Sequence, residues 1–322
     1  MADGPVFVLG SFVVACSAKV PRFPRPGEAL AAQTVTIEPG GKGLNLAIMS
    51  RRLGMVVDGI LAIGDDMAAA FAAPALGRAG LPGSMLVAIP GPTGSGVGFT
   101  DGQGETSVAI ASGVNSAVTR GHIQARAGAI AGAGLVMAQF ETGDDPIAEA
   151  FGIARRAGVE TLLNPSPFRS IPPDILRQTG ILVVNETEAA DLAADIGCDP
   201  ADAGDPARFA TALAPAIAAR GPALVVMTRG AAGAIAVPRC GVAVAQAGIA
   251  VDTVDALGAG DAFAATLGVA LARRHSLANA MLHAAAAGAL TTTRQGVFDA
   301  LPGPEAIAEL LARRRLTPES RL

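Results

Sequence analysis

Six short apolar runs constrain this chain more than any other feature. They occupy residues 6–10, 59–63, 135–138, 161–164, 181–185 and 223–228. Continuous apolar runs of this length suit strands buried on both faces, and the stretches between several of them carry apolar residues at helical spacing. One such stretch, 43–53, stops at Gly54, a common residue just past a helix end. Either Asp65 or Asp66 is placed to cap a further helix running through Leu76. Strands that alternate with helices predict an α/β chain with a doubly wound, mainly parallel sheet flanked by helices. The composition supplies what that architecture needs. Of 322 residues, 51% are apolar and 16% charged, with 40 glycines and no Trp or Tyr, so helices can lie close on a sheet.

Some segments break the alternation. Pro21, Pro24 and Pro26 predict an irregular or edge segment after the first run, and residues 34–37 alternate like a half-exposed strand. Residues 85–89, 96–100 and 106–110 read as strands, with Asp101, Gly102 and Gly104 forming a hairpin signal between the last two. These pieces are assigned to a small β-sheet lid, built from about 11–38 and 84–111 and inserted in a single domain over 1–322. No linker, repeat or low-complexity segment divides the chain.

Several partner classes are excluded at this level. A formal net charge of −4 offers no basic face for nucleic acid. The one tight basic cluster, Arg313 to Arg315, reads as a helix end that answers the helix dipole and faces solvent. Cys16, Cys198 and Cys240 show no CxxC spacing, which argues against a disulfide framework or a zinc site and for a reducing compartment. The small-apolar stretch 127–138 is too short to span a bilayer. The opening Met-Ala-Asp-Gly-Pro has neither the basic region nor the apolar stretch of a signal peptide, so a cytoplasmic protein is expected.

The strongest local chemical signal is Val254-Asp255-Ala256-Leu257-Gly258-Ala259-Gly260-Asp261-Ala262-Phe263, just ahead of an apolar helix. Gly258, Ala259 and Gly260 let backbone N–H groups approach a ligand at a helix N-terminus, which makes an anion site for a phosphoryl group. Asp261 follows directly, close enough to take a proton from an attacking hydroxyl. The segment alone is equally consistent with a capped turn. The second signal is Gly40-Gly41-Lys42-Gly43-Leu44-Asn45-Leu46-Ala47, where exposed backbone, Lys42 and Asn45 suit a polyhydroxy ligand or a simple turn. It is not a Walker A loop, since Thr36 stands at the upstream glycine and Gly43 at the Ser/Thr position.

Taken together, these two segments resemble the paired signatures of the PfkB carbohydrate-kinase family, the first fitting from Gly40 through Asn45 and Ala47 to Gly54 and Gly64. Four further segments fit in order: Asn164-Pro165-Ser166-Pro167, Asn185-Glu186-Thr187-Glu188, Thr228-Arg229-Gly230-Ala231-Ala232-Gly233 and Thr293-Arg294-Gln295-Gly296. The resemblance covers about Val6 to Leu301 and implies a ribokinase-like fold and an ATP-dependent kinase acting on a sugar hydroxyl. By that resemblance Asp261 is the catalytic base, and the amides of Gly258, Ala259 and Gly260 form the anion hole. Gly41, Lys42, Asn45 and Glu141 face the acceptor. Asn185, Thr228, Gly230 and Gly233 serve the nucleotide. Glu188 holds Mg2+ through water, and Asp255 marks a K+ site. Residues 293–296 correspond to the family's adenine pocket and monovalent-cation site. The histidines His122, His275 and His283 stand in no recognisable constellation.

The departures concern the acceptor. Ribokinases begin Gly-Ser-x-Asn-x-Asp, whereas Gly10-Ser11-Phe12-Val13-Val14-Ala15 places Val13 and Ala15 at the polar positions. An apolar wall there lacks hydrogen bonds for a vicinal diol, which argues against plain ribose and for an acceptor with an apolar or base-like part, or fewer hydroxyls. Ala256 and Thr266 are smaller departures in the second signature. A nucleoside kinase and a catalytically silent sugar-binding regulatory protein are the competing readings. A dinucleotide oxidoreductase is disfavoured because no GxGxxG follows the first strand. The lid is expected to close over the acceptor, and its strand edges suggest a homodimer through the lid.

Overall fold

The structure, a computed structural model, describes residues 4–103 and 106–314. Gly104 of the hairpin signal, Arg315 and the first three residues lie outside the described residues.

Thirteen strands form two sheets among the described residues: β1 Val6–Gly10, β2 Val13–Lys19, β3 Thr34–Gly40, β4 Val57–Ile63, β5 Leu86–Ala88, β6 Gly94–Thr100, β7 Thr106–Ala111, β8 Leu135–Gln139, β9 Glu160–Asn164, β10 Ile181–Asn185, β11 Leu224–Thr228, β12 Ala234–Pro238 and β13 Val244–Gln246. The large sheet has the order β13-β12-β11-β10-β9-β8-β1-β4-β5. From β5 to β11 every pairing is parallel, and β12 and β13 add an antiparallel edge. All six expected strands are present. The chain runs outward from β1 to β4 and β5, then returns to β8 and continues the other way, so the order reverses beside β1. Such a reversal opens a crevice at the carboxyl ends of the strands.

Alternation along β1 shows how both faces are filled. Val6 and Val8 join one core with helices Lys42–Arg52, Ala259–Ala272 and Leu277–Thr291, while Phe7 and Leu9 join a second with Asp144–Arg156 and Glu186–Asp195. Small residues set the spacing. A Cβ on Gly10 would lie 2.3 Å from the Cα of Gly43, and one on Gly268 would lie 2.9 Å from Met137 Cε. Helix Ala259–Ala272 is buried continuously from Asp261 to Ala270, because it lies between the sheet and helices Lys42–Arg52 and Leu277–Thr291.

The small sheet has the order β3-β2-β6-β7. The segment after the first run is irregular only in part: residues 13–19 form β2, which pairs with β3 on one side and β6 on the other, while the prolines fall in the irregular connection over 20–33. A second correction concerns 84–111. Its first strand, β5, pairs in parallel with β4 at the edge of the large sheet, so the small sheet takes only β6 and β7 from that segment. A three-residue apolar strand looks alike in either sheet, and only its pairing partner decides. Asp66 caps a 3-10 turn by accepting Ala69 N–H, while Asp65 accepts Gly91 N–H instead.

Candidate active site

Two cavities meet at Asp261. The first, about 170 Å³, lies between the small sheet and the crevice beside β1, with Lys42, Asn45, Glu141 and Asp261 at its base. The second, about 360 Å³, lies over the ends of β9, β10 and β11, lined in part by Asn185, Glu188, Thr228, Gly230 and Gly260. Lys42, Gly258, Leu257 and Asp261 line both.

Local chemistry explains each placement. Gly258 takes φ 78, a left-handed conformation that ends the loop and starts helix Ala259–Ala272. The first N–H groups of a helix have no intrahelical acceptor; Ala259 N–H reaches back to Ala256 O at 3.4 Å, while Gly260 lines the second cavity, where its backbone can meet an anion. A Cβ on Gly260 would meet nothing within 4 Å. Backbone there is open to the cavity. Asp261, one residue on, is 4% exposed; Asn45 donates to its Oδ2 at 2.7 Å, and Lys42 Nζ lies 3.9 Å from its Oδ1. Asp261, more than the burial that opposes it, sets the Lys42 pKa above the ordinary lysine value. Lys42 therefore carries its charge between the two cavities. The Asn45 Oδ1 atom is buried and has no partner within the described protein.

The Glu141 carboxylate is held by two donors. Ser11 Oγ donates to its Oε2 in a short contact, and Lys42 N–H donates to the same oxygen at 2.9 Å. Ser11 Oγ in turn accepts from Gln139 Nε2 at 3.1 Å and Gly43 N–H at 3.2 Å. Burial raises the Glu141 pKa above the usual carboxylate range, partly offset by those donors. Sequence reading missed Ser11 and Gln139 as partners, because nothing local marks a contact between the ends of β1 and β8.

On the second cavity, Asn185 and Glu188 form a capping box: Asn185 N–H donates to Glu188 Oε2 at 2.9 Å, and Glu188 N–H to Asn185 Oδ1 at 2.8 Å. The motif thus starts helix Glu186–Asp195 as well as facing the cavity. Burial raises the Glu188 pKa, more than its hydrogen bonds lower it. Glu188 and Asn185 both line the second cavity, and such oxygen ligands there fit a hydrated divalent cation. Glu186 instead pairs with Arg229 at 3.1 Å.

Some expected residues fall elsewhere. Gly233 lies behind the turn, where a Cβ would strike Gln246 O at 2.0 Å, and it lines neither cavity. Ala259 lines neither cavity. Asp255 ties two loops together, accepting Leu257 N–H at 3.0 Å and Gly296 N–H at 3.1 Å. Gln295 and Gly296 line the cavity beneath the small sheet, where Asp255 also lies. Val13 and Ala15 line it too, with Gly96, Val108 and Ile110. At the C-terminal helix, Arg313 pairs with Glu309 and Arg314 donates to Ala250 O. Among the described residues no helix is long and apolar enough to cross a membrane, and no group of three or more His, Cys, Asp or Glu is arranged to hold a metal.

A doubly wound α/β scaffold with two cavities sharing one carboxylate, one of them roofed by a separate sheet, defines a two-substrate transferase class. The family model described as pfkB family carbohydrate kinase matches residues 4–303, and the chain belongs to that family, phosphotransferases with an alcohol group as acceptor. It is 30% identical over 306 residues to a ribokinase of Haemophilus influenzae, covering 94% of this chain and 97% of that one. It is 31% identical over 316 residues to the bifunctional ribokinase/ribose-5-phosphate isomerase A of Fructilactobacillus sanfranciscensis, of which it spans 57%. Among solved structures, Arabidopsis thaliana ribokinase complexed with ribose and ATP superposes with a TM-score of 0.86 at 27% identity, covering 96% of this chain and 98% of that one. The fold is ribokinase-like.

Proposed function

We propose that this protein is an ATP-dependent kinase that transfers the γ-phosphoryl group to a primary hydroxyl of a sugar or sugar-like acceptor. The observation that carries the reading is Asp261, a buried carboxylate common to both cavities at the N-terminus of helix Ala259–Ala272. The similar proteins are ribokinases, and the Arabidopsis structure holds ribose and ATP.

In this reading the acceptor hydroxyl lies against Asp261, which takes its proton as the oxygen attacks the γ-phosphorus and the bond to the β-phosphate oxygen breaks. Lys42, with Nζ 3.9 Å from Asp261 Oδ1, places a positive charge where the transferred group crosses between cavities. The amides of Gly258, Ala259 and Gly260 stabilise the charge that develops on that group. Gly41, Lys42, Asn45 and Glu141 hold the acceptor, the orphaned Asn45 Oδ1 taking one of its donors. Asn185, Thr228 and Gly230 border the nucleotide, with Gly233 shaping the turn behind them. Glu188, aided by Asn185, would hold Mg2+ through water. When bound, that ion draws charge from the phosphate oxygens. Asp255, whose oxygens keep spare lone pairs, would border a K+ site.

The small sheet acts as a lid within a single domain. Val108 and Ile110 face the cavity yet are each 48% exposed, so closure over an acceptor would bury them. Its outer face presents Val35, Ile37 and Val97, at 58%, 57% and 50% exposure, and a homodimer through this face would cover them. The apolar outer face of the small sheet, more than its strand edges, recommends that contact.

The test is ADP release on a panel of pentoses, hexoses, keto-deoxy acids and nucleosides. No ATP consumption with any acceptor would overturn the kinase reading in favour of a silent sugar-binding protein. A second reading, a nucleoside kinase, is favoured by the apolar Val13, Ala15 and Ile110 wall, and preference for nucleosides over sugars on the same panel would establish it.

A further inference from the structure

The cavity face of the small sheet is organised in cross-strand rows. Ala15 pairs with Glu38 on one side and Gly96 on the other, and Gly96 pairs with Ile110, so Glu38, Ala15, Gly96 and Ile110 form one row. All four line the cavity that has Asp261 at its base. With strands about 4.8 Å apart, the row spans about 14 Å. Its two middle members are small, which leaves a shallow floor between a carboxylate and an isoleucine.

Glu38 is the one acidic side chain of that row, and it is partly buried. Among the described residues its carboxylate makes no hydrogen bond or ion pair. The loop carrying Gly296 presses against it: a Cβ there would lie 2.7 Å from Glu38 Oε2. Burial first, then Asp299, pushes its pKa up, with Arg78 opposing. A partly buried carboxylate with no protein donor, on a cavity wall, is retained where a ligand supplies the donors.

We propose that Glu38 is a specificity-determining residue that accepts hydrogen bonds from hydroxyl groups of the acceptor beneath the small sheet. This rests on the kinase reading and revises one consequence of the sequence: the polarity lost at Ala15 is supplied from the directly opposed position of the neighbouring strand. The acceptor class is then a polyol whose hydroxyls reach the lid, not a compound with only apolar surface there. Glu38 neither touches the reacting atoms nor takes part in proton transfer.

The test uses d-ribose, d-fructose and adenosine as acceptors with the full chain. Glu38→Ala should raise the acceptor KM about 10- to 100-fold, the range for losing hydrogen bonds to a charged group, while kcat and the KM for ATP stay within about threefold. Ala15→Asp added to Glu38→Ala should recover most of the lost affinity, which a packing role would not allow. Glu38→Gln, of the same shape, should show a smaller rise in KM and guards against misfolding of the alanine variant. An active kinase whose acceptor KM ignores Glu38, or whose K+ dependence or ATP KM changes instead, overturns this inference alone. A wild-type protein that consumes ATP with no acceptor overturns the kinase reading and this inference together.

Discussion

Asn45 donates its side-chain amide to Asp261 Oδ2 at 2.7 Å, across 216 positions of chain, with both residues almost fully buried. The bond joins helix Lys42–Arg52 to helix Ala259–Ala272 and orients the carboxylate toward the cavities on either side of Lys42. Among the described residues it leaves Asn45 Oδ1 without a partner, an arrangement that a bound hydroxyl would complete.

Asp261→Asn keeps the shape of that contact and removes the proposed base. Turnover in an ATP-consumption assay should fall by about 10²- to 10⁴-fold, with the melting temperature nearly unchanged. Retention of turnover within tenfold would remove Asp261 from proton transfer.

Two glycines two residues apart should respond in opposite ways. Gly258→Ala forces an L side chain into a left-handed φ of 78 and sets a Cβ 2.5 Å from Val297 Cγ1, so it should destabilise the fold, the conformation alone costing about 1–2 kcal/mol. Gly260→Ala meets nothing within 4 Å and lies in a helix, so it should stabilise by about 0.5–1 kcal/mol. Its methyl, however, borders the second cavity, the proposed nucleotide site, and ADP affinity should drop. Urea unfolding and calorimetric ADP titration separate the two effects; unchanged ADP affinity in Gly260→Ala would count against the anion cradle.

Glu188 yields a pH signature. Its pKa is raised in the folded state, so the fold holds that proton more tightly than the unfolded chain, and stability is lost as pH rises from about 4.5 through the folded value. Glu188→Gln retains the capping geometry without the buried charge. The variant should melt higher than wild type at pH 7, the difference vanishing below about pH 4, while magnesium-dependent turnover falls. A lower melting temperature at pH 7 would show that the charge is well compensated in the fold.

Ile37 and Val97 are cross-strand neighbours separated by Cys16 on the outer face of the small sheet. Converting both to Glu should yield monomers in light scattering at concentrations where wild type is a dimer, without loss of the monomer's fold. A wild-type monomer at every concentration tested would refute the lid-to-lid contact.

Most of the large sheet was legible because its strands are buried on both faces and read as apolar runs. The antiparallel β12 and β13 were not, since Ala234–Pro238 and Val244–Gln246 are short and rich in small residues, with no strong period. β2 was missed because the nearby prolines dominate the local pattern, although they lie beyond its last residue. Glu38 had no signal at all: an acidic residue in a half-exposed strand looks solvated until its pairing partner and facing loop are known.

By itself the sequence determined the layered α/β architecture, the glycine turn at 258–260 and the carboxylate after it, because burial period and backbone freedom are local properties of a chain. Only the tertiary structure decided that Lys42 and Asn45 meet Asp261, that Ser11 and Gln139 hold Glu141, and that Glu38 stands opposite Ala15. Those contacts depend on strand register and helix placement across the whole chain, which no short segment encodes.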